Sequence, residues 1–103
     1  MDLDDHLDDE AQQFSVGDKV RWATHGGKIK VQKQGEVVYV LKVSEGHHPV
    51  RIAKSKFPEH THKFTGLTIP GGNRVGYLVS VPGDGDKSRP KLYMPFPTKL
   101  QLV

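Results

Sequence analysis

Lysine and arginine side chains recur along this chain beside aromatic residues, a combination that suits binding to nucleic acid. Cationic side chains neutralise phosphates, and aromatic rings stack on unpaired bases. The residues predicted to contact phosphates are Arg21, Lys28, Lys30, Lys33, Arg51, Lys54, Lys56 and Lys63. The residues predicted to stack are Trp22, Phe57 and Phe64, with Tyr93 as a further aromatic near basic side chains. The alternative is a solvated basic surface around core aromatics, because a basic surface alone does not establish nucleic-acid binding.

Acidic and basic residues are divided unevenly along the chain. Residues 1–13 contain six carboxylates and no lysine or arginine, whereas residues 14–103 contain six carboxylates and all fifteen lysines and arginines. The overall net charge of +3 therefore conceals a body of +9 behind an acidic tail. We predict that the tail is disordered, and that it covers a basic groove, contacts a basic partner or only keeps the protein in solution.

Four of the six histidines lie in one segment, as His47-His48 and His60-Thr61-His62. Neutral imidazoles bind zinc or nickel, but structural zinc sites need four ligands. The chain has no cysteine, and Glu59 is the only carboxylate close to His60 and His62 in sequence. We therefore predict no metal site, and a segment whose positive charge rises below about pH 6.5.

No pattern in the sequence predicts catalysis. It contains no recognisable Ser/His/Asp spacing, phosphate-binding glycine loop or paired carboxylates, so we expect a non-enzymatic protein without a cofactor. The lack of cysteine is consistent with the cytoplasm. No apolar run approaches the length of a membrane span, and the acidic start does not resemble a secretory signal, so we expect no membrane partner.

Alternating apolar and polar residues predict five short strands. They are residues 19–24, 36–43, 75–81, 91–94 and 100–103, with a turn at Gly17-Asp18 before the first and one at 95–98 before the last. A further turn is predicted at Gln34-Gly35, after a basic loop or short strand over 28–33. In the second strand, Val37, Tyr39, Leu41 and Val43 are predicted to share one face.

Residues 44–72 form a long insertion without a clear period, in which 50–57 favours a helical turn ending before Pro58. These elements predict an all-β domain over residues 14–103, preceded by the acidic tail of residues 1–13. The insertion lies between predicted strands 2 and 3, and it carries much of the basic charge.

On this pattern the chain resembles the SH3-like barrels of the KOW and Tudor type, which are small five-stranded barrels. The specific motif is Gly17-Asp18-Lys19-Val20-Arg21-Trp22 followed by Gly35-Glu36-Val37-Val38. The chain is also similar to a group of small uncharacterised bacterial proteins, which share the strands at 77–81 and 92–95. The resemblance implies a binding module that uses aromatics at one end of the barrel, with Trp22, Tyr39, Tyr77 and Tyr93 as candidates.

A weaker resemblance connects the chain to the type II dihydrofolate reductases. Gly17-Asp18-Lys19-Val20-Arg21 and Gly76-Tyr77-Leu78-Val79 match motifs of that family. The segment Lys91-Leu92-Tyr93-Met94-Pro95 lacks the glutamine that contacts folate and nicotinamide there. We therefore do not expect reductase activity, since a shared fold does not imply a shared function.

The favoured hypothesis is a non-enzymatic module that binds DNA or RNA, chiefly through the phosphate backbone. The alternative is a protein-interaction factor, such as a phage or mobile-element inhibitor that docks on a host nuclease or defence complex. Strand edges and long loops provide contact surfaces for such a partner.

Overall fold

The computed structural model describes residues 12–26, 29–64, 68–83 and 88–103. The described part of the chain is an all-β fold with one α-helix; the all-β class was predicted, but there are six strands where five were predicted. The strands are β1 (Lys19–Gly26), β2 (Ile29–Lys42), β3 (Thr61–His62), β4 (Val75–Val81), β5 (Lys91–Tyr93) and β6 (Gln101–Leu102). The helix α1 spans Pro49–Lys56, and 3-10 turns cover Val43–Glu45, Pro70–Gly72 and Pro97–Lys99. Residues 1–11 of the predicted tail lie outside the described residues, and so does Lys28.

The strands form one sheet in the order β3-β5-β4-β2-β1-β6. Strand β2 pairs with β1 through its first half and with β4 through its second half, both antiparallel. The edge strands β3 and β6 do not pair with each other in the part of the chain that the structure describes, so the sheet is open. No described helix is long and apolar enough to cross a membrane.

Strand β2 runs without interruption through Gly35, so the turn predicted at Gln34-Gly35 is wrong. Gly35 pairs with Val20 of β1 and also lies against β4. A Cβ atom at this position would collide with the backbone oxygen of Ser80 and would come within 2.8 Å of Val79 Cγ1. The glycine therefore serves the close approach of two strands, which is a known role of glycine inside a sheet.

A β-bulge at Val38 shows that a second prediction about β2 is wrong, namely that Val37, Tyr39, Leu41 and Val43 share one face. The register runs from Val37 opposite Val79 directly to Tyr39 opposite Leu78, so one residue of β2 is extra. A bulge reverses which side chains face each side of the strand. Val37 and Tyr39 consequently belong to different hydrophobic clusters, and Val43 is 49% exposed beyond the strand.

Two hydrophobic clusters lie on opposite faces of β4. The inner cluster is Phe14, Val20, Trp22, Val37, Val75, Tyr77, Val79 and Leu100. The outer cluster is Leu41, Ala53, Ile69, Leu78, Leu92 and Met94. Because alternate residues of β4 enter the two clusters, residues 75–79 are all buried. The insertion covers the face of the sheet that would otherwise expose the outer cluster.

The insertion contains the helix predicted for 50–57. Pro49 occupies its first turn, and the His48 side chain accepts a hydrogen bond from the Arg51 backbone N–H at 3.2 Å. Both features are typical of helix starts. Ala53 is fully buried in the outer cluster, and the helix ends at Lys56, two residues before Pro58. The chain then adds β3 in parallel to β5, a pairing that the sequence did not indicate.

We expect Gly35→Ala to destabilise the fold by about 1–3 kcal/mol, because the new methyl group overpacks the contact between β2 and β4. Urea unfolding measures this change. The matched control is Gln34→Ala at the adjacent position. The Gln34 side chain is exposed, so this substitution should change the free energy of unfolding by no more than about 0.5 kcal/mol. Equal stability of both variants would contradict the role given to Gly35.

Candidate nucleic-acid interface

Two adjoining clefts lie along β1 and share Trp22, Ala23 and Lys99 among their lining residues. The aromatic cleft has a volume of about 450 Å³ and is lined in addition by Lys63, Phe64, Tyr93 and Phe96, among others. The polar cleft has a volume of about 300 Å³ and is lined in addition by Arg21, Lys30, Gln32, Thr98 and Gln101. The two clefts thus adjoin along β1; the first is rich in aromatic rings, and cationic side chains line both.

The rings of the aromatic cleft are positioned by packing on their other sides. Tyr93 of β5 meets Trp22 of β1 edge to face, with ring centroids 5.5 Å apart. Phe64 follows β3 and packs against the outer cluster. Phe96 lies between two buried prolines, Pro95 and Pro97, and is 47% exposed. The core therefore holds the backbone on both sides of a ring that faces solvent.

Lysine ammonium groups lie over two of these rings. Lys33 Nζ is 5.1 Å from the centroid of Tyr93, and Lys99 Nζ is 5.3 Å from the centroid of Phe96. Cations are attracted to the negative face of an aromatic ring at such distances. The π faces of the cleft are thus accessible to groups that approach from solvent.

Among the residues that the structure describes, no carboxylate lines either cleft, whereas Arg21, Lys30, Lys63 and Lys99 all do. The carboxylates among the described residues lie outside the two clefts, and three of them contact other groups. Glu36 pairs with Lys19 at 2.8 Å, Glu45 lies 3.8 Å from Lys42, and Asp18 accepts from the Ser15 backbone N–H. Cationic side chains that line a concave surface concentrate anions there.

The structure brings together six of the residues singled out in the sequence, which line the clefts: Arg21, Trp22, Lys30, Lys63, Phe64 and Tyr93. Lys33 joins them through its contact with Tyr93. Trp22 is only 5% exposed and belongs to the inner cluster, so it forms a wall of the cleft and offers no free stacking face.

The basic residues of α1 lie on a different surface. Arg51, Lys54 and Lys56 are exposed on the helix and line neither cleft. Lys56 Nζ is 5.9 Å from the ring centroid of Tyr39, and Phe57 packs edge-on against the same ring in the outer cluster. The charges of the insertion are therefore divided, because Lys63 lines the aromatic cleft and the helical residues do not.

Phe96 and Lys99 were missed in the sequence analysis. The available signal was the pair of prolines around Phe96, which excludes it from a strand ladder without burying its ring. Of the tyrosines that the family resemblance suggested, Tyr77 is 1% exposed, and its hydroxyl accepts from the Gln13 backbone N–H at 2.8 Å. Tyr77 therefore serves the core, beneath the edge-on ring of Phe14.

The histidines of the insertion make structural hydrogen bonds. His47 Nδ1 accepts from the Lys42 backbone N–H at 2.9 Å, and His62 Nε2 lies 2.8 Å from the Phe57 carbonyl oxygen. Within the described residues, no three His, Cys, Asp or Glu side chains are grouped to hold a metal ion. These contacts fasten the insertion to the sheet and to itself.

His60 connects the insertion to β4, since its Nε2 lies 3.0 Å from Ser80 Oγ. Its Nδ1 is buried and has no hydrogen-bond partner among the described residues. Burial lowers the pKa of His60 below its usual value of 6.5, and nearby His62 lowers it further, against a smaller opposing effect of Glu59.

We expect the free energy of unfolding to fall as the pH decreases below 6.5, because unfolded His60 takes up a proton before folded His60 does. His60 contributes this stability fully above pH 6.5 and loses it as the pH drops through the lowered pKa of the folded state. Urea unfolding between about pH 7.5 and 5 should show a weaker pH dependence for His60→Gln. Ser80→Ala is the control, because it removes the hydrogen bond and keeps the titrating group.

Comparison of the chain with protein-family models, with curated proteins and with solved structures finds no match. The site is therefore interpreted from its own geometry and charge.

Proposed function

We propose that this protein is a non-enzymatic nucleic-acid-binding module whose interface is the joined aromatic and polar clefts. The observation that supports this most directly is a concave surface that, among the described residues, is lined by four cationic side chains, the exposed Phe96 and no carboxylate. Phosphates are the polyanionic groups that such a surface neutralises, and most of the affinity then comes from contacts to the backbone.

The arrangement of cations suits an extended polyanion. Arg21 and Lys30 line the polar cleft, Lys63 lines the aromatic cleft, and Lys99 borders both. Successive phosphates of one strand can therefore be neutralised from one cleft to the next. Binding of this kind weakens steeply as salt increases, because each neutralised phosphate releases counterions.

We also propose that the fold is an open variant of the SH3-like barrel of the KOW and Tudor type. Two features support this relationship. Strand β2 changes partner from β1 to β4 along its length, and the turn Pro97–Lys99 leads directly into the short last strand β6. The insertion that contains α1 would be an addition to that fold.

The second candidate function is docking on another protein, and it rests on the first half of β2. Residues 29–35 have β1 as their only strand partner among the described residues. Ile29 is 68% exposed and Val31 is 41% exposed on that segment. An unpaired strand edge of this kind can accept a strand from a partner such as a host nuclease or defence complex. A partner protein that co-purifies stoichiometrically after nuclease and high-salt washes would favour this candidate.

We expect the double variant Lys63→Gln/Lys99→Gln to weaken binding to labelled nucleic acid about tenfold at physiological salt. It should also reduce the slope of log K against log salt by about 1 to 2, because two phosphate contacts are lost. Fluorescence anisotropy over a salt series measures both quantities.

The matched control is Lys54→Gln/Lys56→Gln, which removes the same charge from the exposed face of α1. It should leave most of the affinity and most of the slope intact. If both pairs weaken binding equally, the interface is the general basic surface and not the clefts.

A further inference from the structure

We infer that the aromatic cleft accepts an unpaired base on the ring of Phe96, so that the ligand of the joined clefts is single-stranded nucleic acid. This inference rests on the proposed function, because it names the form of nucleic acid that the same site binds. It adds a stacking residue that lies outside the set predicted from the sequence.

Phe96 has the properties of a rigid stacking surface. Its ring is 47% exposed, although the prolines on both sides of it are buried. A Cβ atom built on Gly71 would lie 3.4 Å from Phe96 Cδ2, so the ring rests close to the backbone of the turn at residues 70–72. A ring that is already held in place loses little conformational freedom when a base stacks on it.

The lysines over the rings indicate how a nucleotide would be received. Lys99 Nζ lies 5.3 Å from the centroid of Phe96, and Lys33 Nζ lies 5.1 Å from that of Tyr93. A base has a π face that can replace the ammonium group on the ring, and the flexible lysine can then turn to the phosphate of the same nucleotide. One ring and one lysine thus provide both contacts that a single nucleotide offers.

A duplex cannot use the aromatic cleft in this way. Its bases are stacked on each other, so their faces are covered and the strand presents mainly phosphates and groove edges. Phosphate contacts alone would explain the cations of the clefts but would leave the exposed ring of Phe96 without a role. Aromatic rings beside a basic groove are the arrangement by which proteins bind unpaired strands.

The test compares three labelled probes with the full chain by fluorescence anisotropy: an oligothymidylate of about twelve nucleotides, a strand of equal length with abasic residues throughout, and a duplex of equal length. The first two carry the same phosphates and differ only in the bases. We expect the oligothymidylate to bind at least about tenfold more tightly than either of the other two probes.

Phe96→Ala should weaken oligothymidylate binding at least about fivefold, and it should leave binding to the abasic strand unchanged. Phe96→Trp keeps an aromatic face and should retain the affinity of the parent protein. Because Phe96 is half exposed, thermal unfolding should show that both variants remain folded.

Trp22 is the only tryptophan of the chain, and it lines the aromatic cleft. We expect its fluorescence to change more when oligothymidylate binds than when the abasic strand binds. This readout reports on the joined clefts, because Trp22 lines both of them and is buried beside Tyr93.

The possible failures are distinguishable. Equal binding of the abasic strand and the oligothymidylate, or tighter binding of the duplex, would overturn the base-stacking inference and leave the proposed function standing. Binding that is unchanged in Phe96→Ala would overturn the role of Phe96. No binding of any probe at low salt would overturn the proposed function and this inference together.

Discussion

The close approach of β2 and β4 at Gly35 is the constraint on which the rest of the structure depends. Because no side chain separates the two strands there, β2 can leave β1 and continue as the neighbour of β4 within one unbroken strand. The bulge at Val38 lies three residues further along β2, and it reverses which side chains face each side of the strand. One strand thereby contributes Val37 to the inner cluster and Leu41 to the outer cluster, and the sheet acquires two apolar faces that need cover.

The insertion covers the face of the sheet that carries the outer cluster, so it is part of the hydrophobic core. Ala53 of α1 and Phe64 after β3 pack on that face, while His60 contacts Ser80 of β4. The same segment brings Lys63 and Phe64 to the aromatic cleft. The insertion therefore has both a structural and a proposed binding role. Its helix stabilises the sheet, and Lys63 and Phe64, which follow β3, complete the candidate interface.

The local patterns in the sequence predicted much of the fold. Alternating residues located β1, β4 and β5, and the helix predicted for 50–57 before Pro58 spans Pro49–Lys56. The register of β2 was not predictable in the same way. Glycine is typical of turns, but Gly35 lies inside a strand because it contacts residues 79–81 of β4, more than forty residues further along the chain. The parallel pairing of β3 with β5 is likewise a contact between distant segments of only two residues each.

The sequence by itself determined the class of structure and the chemistry available: an all-β body of net charge +9, without cysteine, with aromatic and cationic side chains interleaved. Only the tertiary structure decided which of these side chains meet. It gathered Arg21, Lys30, Lys63 and Phe64 with the unforeseen Phe96, and it left the basic residues of α1 on another surface. The physical reason is that composition and period describe one segment at a time, whereas a cleft is formed by packing between segments far apart in the chain.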